Sequence, residues 1–176
     1  ELGTTTGEVT GPASGPEQRT SIWPSVQQRI LELIRQHRST IVFTNSRRLA
    51  ERLTSGLNEL ASEEPEPMTE FPAQAVGASG VATTTLPVVA KAHHGSMSKD
   101  QRAAVEEELK TGQLPCVVAT SSLELGIDMG AVDLVVQVET PPSVASGLQR
   151  IGRGGHQVGA VSRGVVIPKF RGDLIG

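Results

Sequence analysis

Two arginines near the C-terminus are the side chains in this sequence best suited to hold phosphate. Arg150 and Arg153 stand three residues apart in the segment Gln-Arg-Ile-Gly-Arg-Gly-Gly-His, which covers residues 149–156. The residues before them predict a helix, so the two side chains share one helix face. A guanidinium is planar, permanently charged and able to donate several hydrogen bonds to phosphate oxygens. The alternative is an ordinary helix end, where arginines stabilise the dipole and glycines stop the helix.

A second segment places hydroxyls at the end of an apolar run. Residues 117–128 read Val-Val-Ala-Thr-Ser-Ser-Leu-Glu-Leu-Gly-Ile-Asp. Thr120 and Ser121 can donate to a backbone phosphate, and Gly126 permits a tight approach or a positive φ. Asp128 repels phosphate but accepts well from sugar hydroxyls. The alternative is structural, with Asp128 capping the next turn and the leucines filling the core.

Two shorter segments carry polar groups in similar positions. Thr44, Asn45 and Ser46 leave an apolar run and enter a helical pattern. A helix N-terminus offers free N–H groups to a phosphate, although Asn45 or Ser46 can also cap the helix. The other segment is His-His-Gly-Ser at residues 93–96. Neighbouring histidines on a strand point to opposite faces, and no second His or Cys pair has metal spacing, so we predict no metal site.

Apolar runs and periodic stripes predict the elements that carry these segments. Strands are predicted over residues 39–44, 88–92, 116–119, 134–138 and 164–167. Helices are predicted to begin at Pro24, near Asn45 or Ser46, at Ser98 and at Ser143, with Ala104, Val105 and Leu109 facing inward in the third. Continuous apolar strands that alternate with helices are typical of the α/β class, with a mostly parallel sheet covered by helices on both faces.

The polar segments fall at the predicted carboxyl ends of the strands. Residues 44–46, 94–96 and 120–122 each follow a strand. Ligands of parallel sheets bind outside these strand ends, so the three segments are expected to meet at one edge. Residues 1–21 are rich in Gly, Thr, Ser and Pro and predict a linker or arm, which leaves residues 22–176 as the domain. Prolines, glycines and acidic residues at 61–86 predict a mobile insertion.

The amino-acid composition and net charge argue against some classes of binding protein. The chain has 176 residues and a net charge of −3, so a nucleic-acid binder of this sequence has to use local groups instead of a basic field. Three Phe, one Trp and no Tyr argue against an aromatic platform that stacks bases. Cys116 is the only cysteine, and no apolar run is long enough to span a membrane. A reduced cytoplasmic protein is the expectation.

In this order the four segments resemble motifs IV, IVa, V and VI of superfamily 2 helicases. His-His-Gly-Ser together with Gly-Arg-Gly-Gly-His is most similar to the large helicase-related (Lhr) family. The resemblance extends from about Trp23 to the C-terminus and implies the second RecA-like domain of a helicase. Many superfamily members carry a second finger arginine where this chain has His156, so a mechanism with two arginine fingers does not transfer.

The resemblance also implies roles for individual residues. It implies that Arg153 is the catalytic arginine finger, which stabilises the charge that develops on the transferred γ-phosphoryl group. The residues implied to lie at the nucleotide are Gly126, Asp128, Gln149, Arg150, Arg153 and His156. The residues implied to contact the nucleic-acid strand are Thr44, Asn45, Ser46, His94, Gly95, Thr120 and Ser121. Arg150 could instead serve mainly to brace its motif.

The activity that the resemblance implies is ATP-dependent 3′-to-5′ translocation that unwinds DNA or RNA:DNA duplexes in nucleic-acid repair. The sequence contains no Gly-Lys dipeptide and no Asp-Glu pair, so ATP and Mg²⁺ would be bound mainly by a first RecA-like domain of the same protein. This chain alone is then expected to be inactive as an ATPase. The partners are single-stranded DNA or RNA and RNA:DNA hybrids.

Two other function classes remain to be weighed against the helicase. One is a non-enzymatic RecA-like module that uses the same edge only to hold nucleic acid or a partner. The other is a doubly wound metabolic enzyme, which is weaker because Thr-Asn-Ser-Arg at residues 44–47 stands where Gly-x-Gly-x-x-Gly would be needed.

Overall fold

Five parallel strands form a single sheet in the described part of this protein. The computed structural model describes residues 21–63, 88–124, 132–152 and 163–168. In chain order the strands are β1 (Thr40–Phe43), β2 (Ala90–His93), β3 (Cys116–Ala119), β4 (Leu134–Val138) and β5 (Gly164–Ile167). Their order across the sheet is β2-β3-β1-β4-β5, and every neighbouring pair is parallel. The predicted parallel α/β sheet is confirmed.

In the described residues, one α-helix precedes the first strand and three more lie between strands. They are α1 (Trp23–Arg35), α2 (Arg47–Glu63), α3 (Lys99–Lys110) and α4 (Val144–Ile151), and a short 3-10 helix (Ser121–Leu123) follows β3. Ser98 begins α3 with the predicted capping box, in which its hydroxyl and the Gln101 side chain each bond the other residue's backbone N–H. Ser143 caps α4 by accepting from the N–H of Ser146. Both predicted starts are confirmed.

Helices cover both faces of the sheet, as the sequence predicts. On one face, α1 and α2 bury aliphatic side chains such as Leu53 against Val42 and Val118. On the other face, α3 packs Val105 and Leu109 among apolar residues of β1 and β3. Each fully buried aliphatic side chain stabilises the fold by roughly 1.5–3 kcal/mol. The two layers therefore hold the sheet rigidly enough to position groups at its edge.

Three predicted details are wrong. β2 begins at Ala90 instead of residue 88, because the Asn58 side chain accepts from the N–H groups of Val89 and Ala90 and donates to the Ala90 carbonyl. α2 continues to Glu63, since the buried Ala61 still packs against the core, so the predicted insertion at 61–86 begins too early. Ala104 is exposed, because Val105 and Leu109 alone fill that side of α3.

Other parts of the predicted organisation lie outside the described residues. These are residues 1–20 of the predicted arm and residues 64–86 of the predicted insertion. Within the part of the chain that the structure describes, no helix is long and apolar enough to cross a membrane.

Candidate functional site

Three strands end in the same row of the sheet. Phe43, Ala119 and His93 are the last residues of β1, β3 and β2, and they are aligned as neighbours across the sheet. The next backbone groups continue this alignment, since the Thr44 N–H donates to Ala119 O at 2.8 Å and the Thr120 N–H donates to His93 O at 3.2 Å. The prediction that the polar segments leave the sheet at one edge is confirmed. We call this place the carboxyl edge.

At the carboxyl end of β1, the polar side chains mostly serve the fold. Thr44 is fully buried, and its hydroxyl lies 3.2 Å from Ser46 O and 3.4 Å from Ala119 O. The Ser46 hydroxyl accepts from the Leu49 N–H at 3.2 Å, which is the capping role weighed above. Asn45 is exposed, and its Nδ2 donates to Thr140 O at 2.6 Å. The Thr44 hydroxyl therefore faces the interior, and the exposed side chain in this segment that does not cap the helix is that of Asn45.

Arg150 lies at the centre of a buried polar cluster. Its side chain is 1% exposed. Nε and Nη2 lie 2.6 and 2.5 Å from Glu124 Oε1, and Nη1 donates to Gln137 at 2.8 Å and to Asn45 at 3.1 Å. The guanidinium carbon also lies 5.2 Å from the centre of the Phe43 ring, a cation–π distance. The Arg150 cluster (Arg150, Glu124, Gln137, Asn45 and Phe43) thus joins three of the polar segments.

A nucleotide-binding role for Arg150 does not fit this burial. All three guanidinium nitrogens already have partners inside the fold. Removing a buried charge leaves its partner uncompensated, so the cluster resists rearrangement once it is formed. The burial favours a bracing contact, the alternative weighed for Arg150, and its contact with the nucleotide stays a prediction. Gln149, the preceding residue, is exposed.

Two members of the Arg150 cluster were missed from the sequence. Glu124 lies in the leucine-containing part of residues 117–128, which reads as plain core. Gln137 interrupts the otherwise aliphatic β4, and its Nε2 donates to Val138 O at 3.1 Å and Glu139 O at 3.0 Å. A lone amide inside a fully buried strand needs a partner, so Gln137 carried a usable signal. Glu124 carried none, since a buried glutamate looks like a surface one until its arginine is known.

The two histidines at the end of β2 point to opposite faces, as predicted. His93 Nε2 lies 2.8 Å from Glu106 Oε1 on α3. His94 Nε2 lies 3.2 Å from Glu51 Oε1 on α2, and its buried Nδ1 has no partner among the described residues. In that same part of the chain, no group of three His, Cys, Asp or Glu side chains could hold a metal ion.

The electrostatics of these two contacts differ. Burial lowers the pKa of His93 below its ordinary value, and Glu106 acts in the opposite direction. The hydrogen bond from Arg47 is the main reason that the pKa of the exposed Glu51 is lowered. The fold thus favours a neutral His93 on the α3 side and a charged carboxylate beside His94 on the α2 side.

The turn after His94 and the turn after β3 are the accessible parts of the carboxyl edge. Gly95 is exposed, and a Cβ added there would meet nothing within 4 Å, so the space beside it is open. Thr120 is half-buried and Ser121 is exposed, and the Thr120 side chain does not cap the 3-10 helix that follows it. These residues can meet a ligand without rearranging the core.

Four predicted site residues lie outside the described part of the chain. They are Gly126, Asp128, Arg153 and His156. α4 ends at Ile151, two residues before Arg153 in the sequence, and Arg150 holds this helix against Glu124 and β4. The last described residue of the segment is Gly152, which ends α4.

The fold and the motif order define a class of protein. The chain belongs to the helicase conserved C-terminal domain family, whose model matches residues 25–157. The expected superfamily 2 membership, the RecA-like fold and the resemblance to Lhr helicases are confirmed.

Two curated relatives show which helicases the chain is similar to. The chain is 62% identical over 166 residues to an Lhr helicase/probable uracil glycosylase of Mycolicibacterium smegmatis, which covers 89% of this chain and 11% of the relative. It is 54% identical over 176 residues to an Lhr helicase/uracil glycosylase of Escherichia coli, which covers 94% of this chain and 11% of the relative. The chain therefore spans about a ninth of the length of these two curated relatives.

A solved structure gives the same result for the fold. The Mycobacterium smegmatis helicase Lhr bound to ssDNA and AMP-PNP superimposes with a TM-score of 0.74 at 61% identity. The match covers 90% of this chain and 18% of that one.

Proposed function

We propose that this chain is the second motor domain of an ATP-dependent 3′-to-5′ helicase. In this proposal it holds one strand of DNA or RNA by its backbone, including strands of RNA:DNA hybrids, and supplies Arg153 to ATP bound on a first RecA-like domain. Family membership and the Lhr relatives support the class, and the relative solved with ssDNA and AMP-PNP supports both ligand types. The observation that carries the proposal is the single carboxyl edge at which the polar segments meet.

The strand side of the proposal rests on the accessible hydroxyls. Thr120 and Ser121 follow β3 in the middle of the edge, and Gly95 leaves open space beside the neighbouring strand end. Hydroxyl and backbone N–H donors bind phosphate oxygens without reading bases, so the grip is sequence-independent. With Thr44 buried and Ser46 capping α2, the segment after β1 contributes backbone groups and the exposed part of Asn45.

The nucleotide side of the proposal rests on the placement of α4. Arg150 fixes this helix to the sheet, and the helix leads directly to Arg153 and His156. A finger arginine has to be held in place before the transition state forms, because preorganised charge costs no rearrangement during the reaction. We therefore propose that Arg150 positions the motif, that Arg153 contacts the transferred phosphoryl group, and that Gly126, Asp128, Gln149 and His156 lie around the nucleotide.

The remaining parts of the ATPase belong to the first domain in this proposal. The sequence has neither a Gly-Lys dipeptide nor an Asp-Glu pair, and the described residues contain no cluster that would hold Mg²⁺. The isolated chain is then inactive as an ATPase. The full-length protein works in the cytoplasm on nucleic-acid strands, in DNA repair.

Substitution of Thr120 tests the strand contact. Thr120→Val keeps the side-chain shape and removes the hydroxyl, which should weaken a charge-assisted bond to phosphate by roughly 1.5–3 kcal/mol, or about ten- to a hundredfold in Kd. The measurement is the affinity of the full-length protein for a fluorescent oligothymidylate strand. Thr111→Val is the matched control, because Thr111 ends α3 and its hydroxyl bonds only to the preceding helix turn. An unchanged affinity for Thr120→Val, with a lowered melting temperature, would show a purely structural role.

Substitution of Arg153 tests the finger. Arg153→Ala in the full-length protein should reduce single-turnover ATP hydrolysis by at least about a hundredfold, as expected for lost electrostatic stabilisation of the transition state. ATP affinity should change far less, because the contact is made mainly in the transition state. Arg29→Ala on the exposed side of α1 is the control. Near wild-type hydrolysis by Arg153→Ala would remove the finger assignment, and a wild type without strand-stimulated hydrolysis would favour the binding module.

A further inference from the structure

His93 makes contacts that the strand-binding proposal does not use. It is the last residue of β2, and its ring is 1% exposed. Nδ1 lies 2.7 Å from Ser122 Oγ, and Nε2 lies 2.8 Å from Glu106 Oε1. Ser122 Oγ also lies 3.0 Å from the His93 carbonyl oxygen. A chain of side-chain contacts therefore runs from α3 through the end of β2 to the 3-10 helix that follows β3.

The hydrogen-bond partners of His93 determine which of its two ring nitrogens carries a proton. An ionised carboxylate only accepts hydrogen bonds, so His93 Nε2 must carry a proton and donate it to Glu106. Burial and the positive charge of Arg102 on α3 both favour a neutral ring, against the carboxylate of Glu106. In a neutral ring Nδ1 is an acceptor, so Nδ1 and the His93 carbonyl oxygen share the single hydroxyl proton of Ser122. The serine proton is then engaged with the histidine.

A hydrolytic role for these three side chains does not fit the geometry. Ser122 Oγ contacts both the ring and the carbonyl of His93, so the hydroxyl is held against β2. A nucleophilic serine has to aim its oxygen at a substrate instead. What the contacts can do is to fix the position of Ser122 and of the turn that contains it.

The turn that contains Ser122 also contains the two hydroxyls proposed to grip the strand. The Thr120 N–H donates to His93 O at 3.2 Å, and Ser122 bonds to the same residue, so Thr120 and Ser121 lie between two attachments to β2. Glu106 extends the support to α3, which is anchored by Val105 and Leu109 in the core. A side chain held at both ends of its turn loses less freedom when it binds phosphate.

We infer that His93 is a positioning residue, which together with Glu106 and Ser122 orients Thr120 and Ser121 toward a nucleic-acid phosphate. This inference rests on the proposed strand-binding function and adds the residues that give the grip its geometry. The chain of contacts Glu106–His93–Ser122 is called the histidine relay below. None of its three members needs to touch the nucleic acid.

Alanine variants of the two ends of the histidine relay test the inference. Ser122→Ala and Glu106→Ala in the full-length protein should each weaken binding of an oligothymidylate strand by about two- to tenfold, the range for one lost hydrogen bond. The double variant should lose no more strand affinity than the more affected of the two single variants, because both changes break the same chain of contacts. Glu106→Gln should recover most of the affinity lost by Glu106→Ala, since the amide oxygen can still accept from Nε2.

The controls separate positioning from stability and charge. Glu107→Ala removes the adjacent exposed carboxylate of α3, and Ser55→Ala removes an exposed hydroxyl of α2, so both should bind the strand as the wild type does. Melting temperatures measured on every variant report folding separately from affinity. Three outcomes would each overturn the relay. Ser122→Ala could bind the strand with wild-type affinity, the double variant could show additive losses of affinity, or Glu106→Gln could fail to recover the affinity lost by Glu106→Ala.

The Thr120→Val variant distinguishes a failure of the histidine relay from a failure of the proposed strand contact. If Thr120→Val weakens strand binding while the relay variants bind normally, the relay is wrong and the strand contact stands. If neither Thr120→Val nor the relay variants change the affinity, the proposed strand contact at this turn fails and the relay fails with it.

Discussion

The two faces of the sheet are stabilised by different kinds of interaction. On the face covered by α1 and α2, strand residues such as Val42 and Val118 meet aliphatic helix residues such as Leu53. On the face covered by α3 and α4, the last row of the sheet contains His93 and Gln137, and both are hydrogen-bonded to charged side chains. The first face is mainly aliphatic, with the contact between His94 and Glu51 at its carboxyl end, whereas the second combines a core with two polar assemblies.

The difference shows how stability and orientation are divided in this fold. Burial of apolar surface stabilises without preferring one direction, so the aliphatic contacts of the α1–α2 face hold the sheet together but do not aim a side chain. Hydrogen bonds have preferred directions, and the Arg150 cluster and the histidine relay each fix a turn at the carboxyl edge. A buried ion pair is weak evidence for added stability, yet removal of one partner is costly. The polar assemblies are therefore best understood as orienting devices.

The largest effect is expected for Arg150→Ala. The change leaves the Glu124 carboxylate, whose side chain is 11% exposed, without its guanidinium, and it should lower the free energy of unfolding by roughly 3–5 kcal/mol. Urea unfolding of the full-length protein and its variant provides the measurement. Arg29→Ala is the matched control, because it breaks an exposed Arg–Glu pair on α1 that should contribute less than about 1 kcal/mol. Equal losses in the two variants would show that the buried cluster has no special energetic role.

A second prediction concerns the apolar face. Leu53→Ala removes a side chain that is 1% exposed, and it should lower the free energy of unfolding by about 2–4 kcal/mol through lost burial and a cavity. Strand affinity measured below the unfolding transition should stay at the wild-type value, since no group at the carboxyl edge moves. Leu148→Ala, an exposed leucine on α4, provides the control. A large loss of affinity in Leu53→Ala would mean that the two faces are not independent.

The smallest effect is expected from the titration of His93. Because burial lowers its folded pKa below the ordinary 6.5, the unfolded chain takes up this proton first as the pH falls. The stabilising contribution is therefore fully present above 6.5 and is lost as the pH decreases through the folded pKa. The stability difference between wild type and His93→Gln should shrink as the pH falls below 6.5 in urea titrations. A difference that grows on acidification would reverse the assigned protonation state.

Most of the helices and strands can be predicted from the sequence, because the patterns that indicate them involve residues close together in the chain. The strands at 116–119, 134–138 and 164–167 were predicted with the observed bounds, since each is an apolar run between turn residues. Ser98 and Ser143 marked helix starts through bonds to residues three positions away. The shifted start of β2 depends on Asn58, which is more than thirty residues distant in the chain. Such a contact leaves no trace in a local pattern.

The sequence predicts where the candidate site lies, but it does not predict which side chains brace the site residues. Strand ends pointed to residues near 44, 94 and 120 because parallel strands align their carboxyl ends. The pairing of Arg150 with Asn45 joins residues 105 positions apart, and that of His93 with Ser122 joins residues 29 positions apart. Only the folded sheet brings these together. Whether a polar residue faces a ligand or braces a neighbour depends on that proximity, so the sequence alone does not distinguish the two roles for Arg150.

The shared row at the end of the sheet limits how this chain can change in length during evolution. Phe43, Ala119, His93 and Gln137 are aligned across four strands of only four or five residues each. Side chains alternate between the two faces, so a single-residue insertion or deletion inside any of these strands would turn its row member to the opposite face. Homologous sequences should therefore keep the lengths of these four strands constant, and length variation should be confined to the connections between elements.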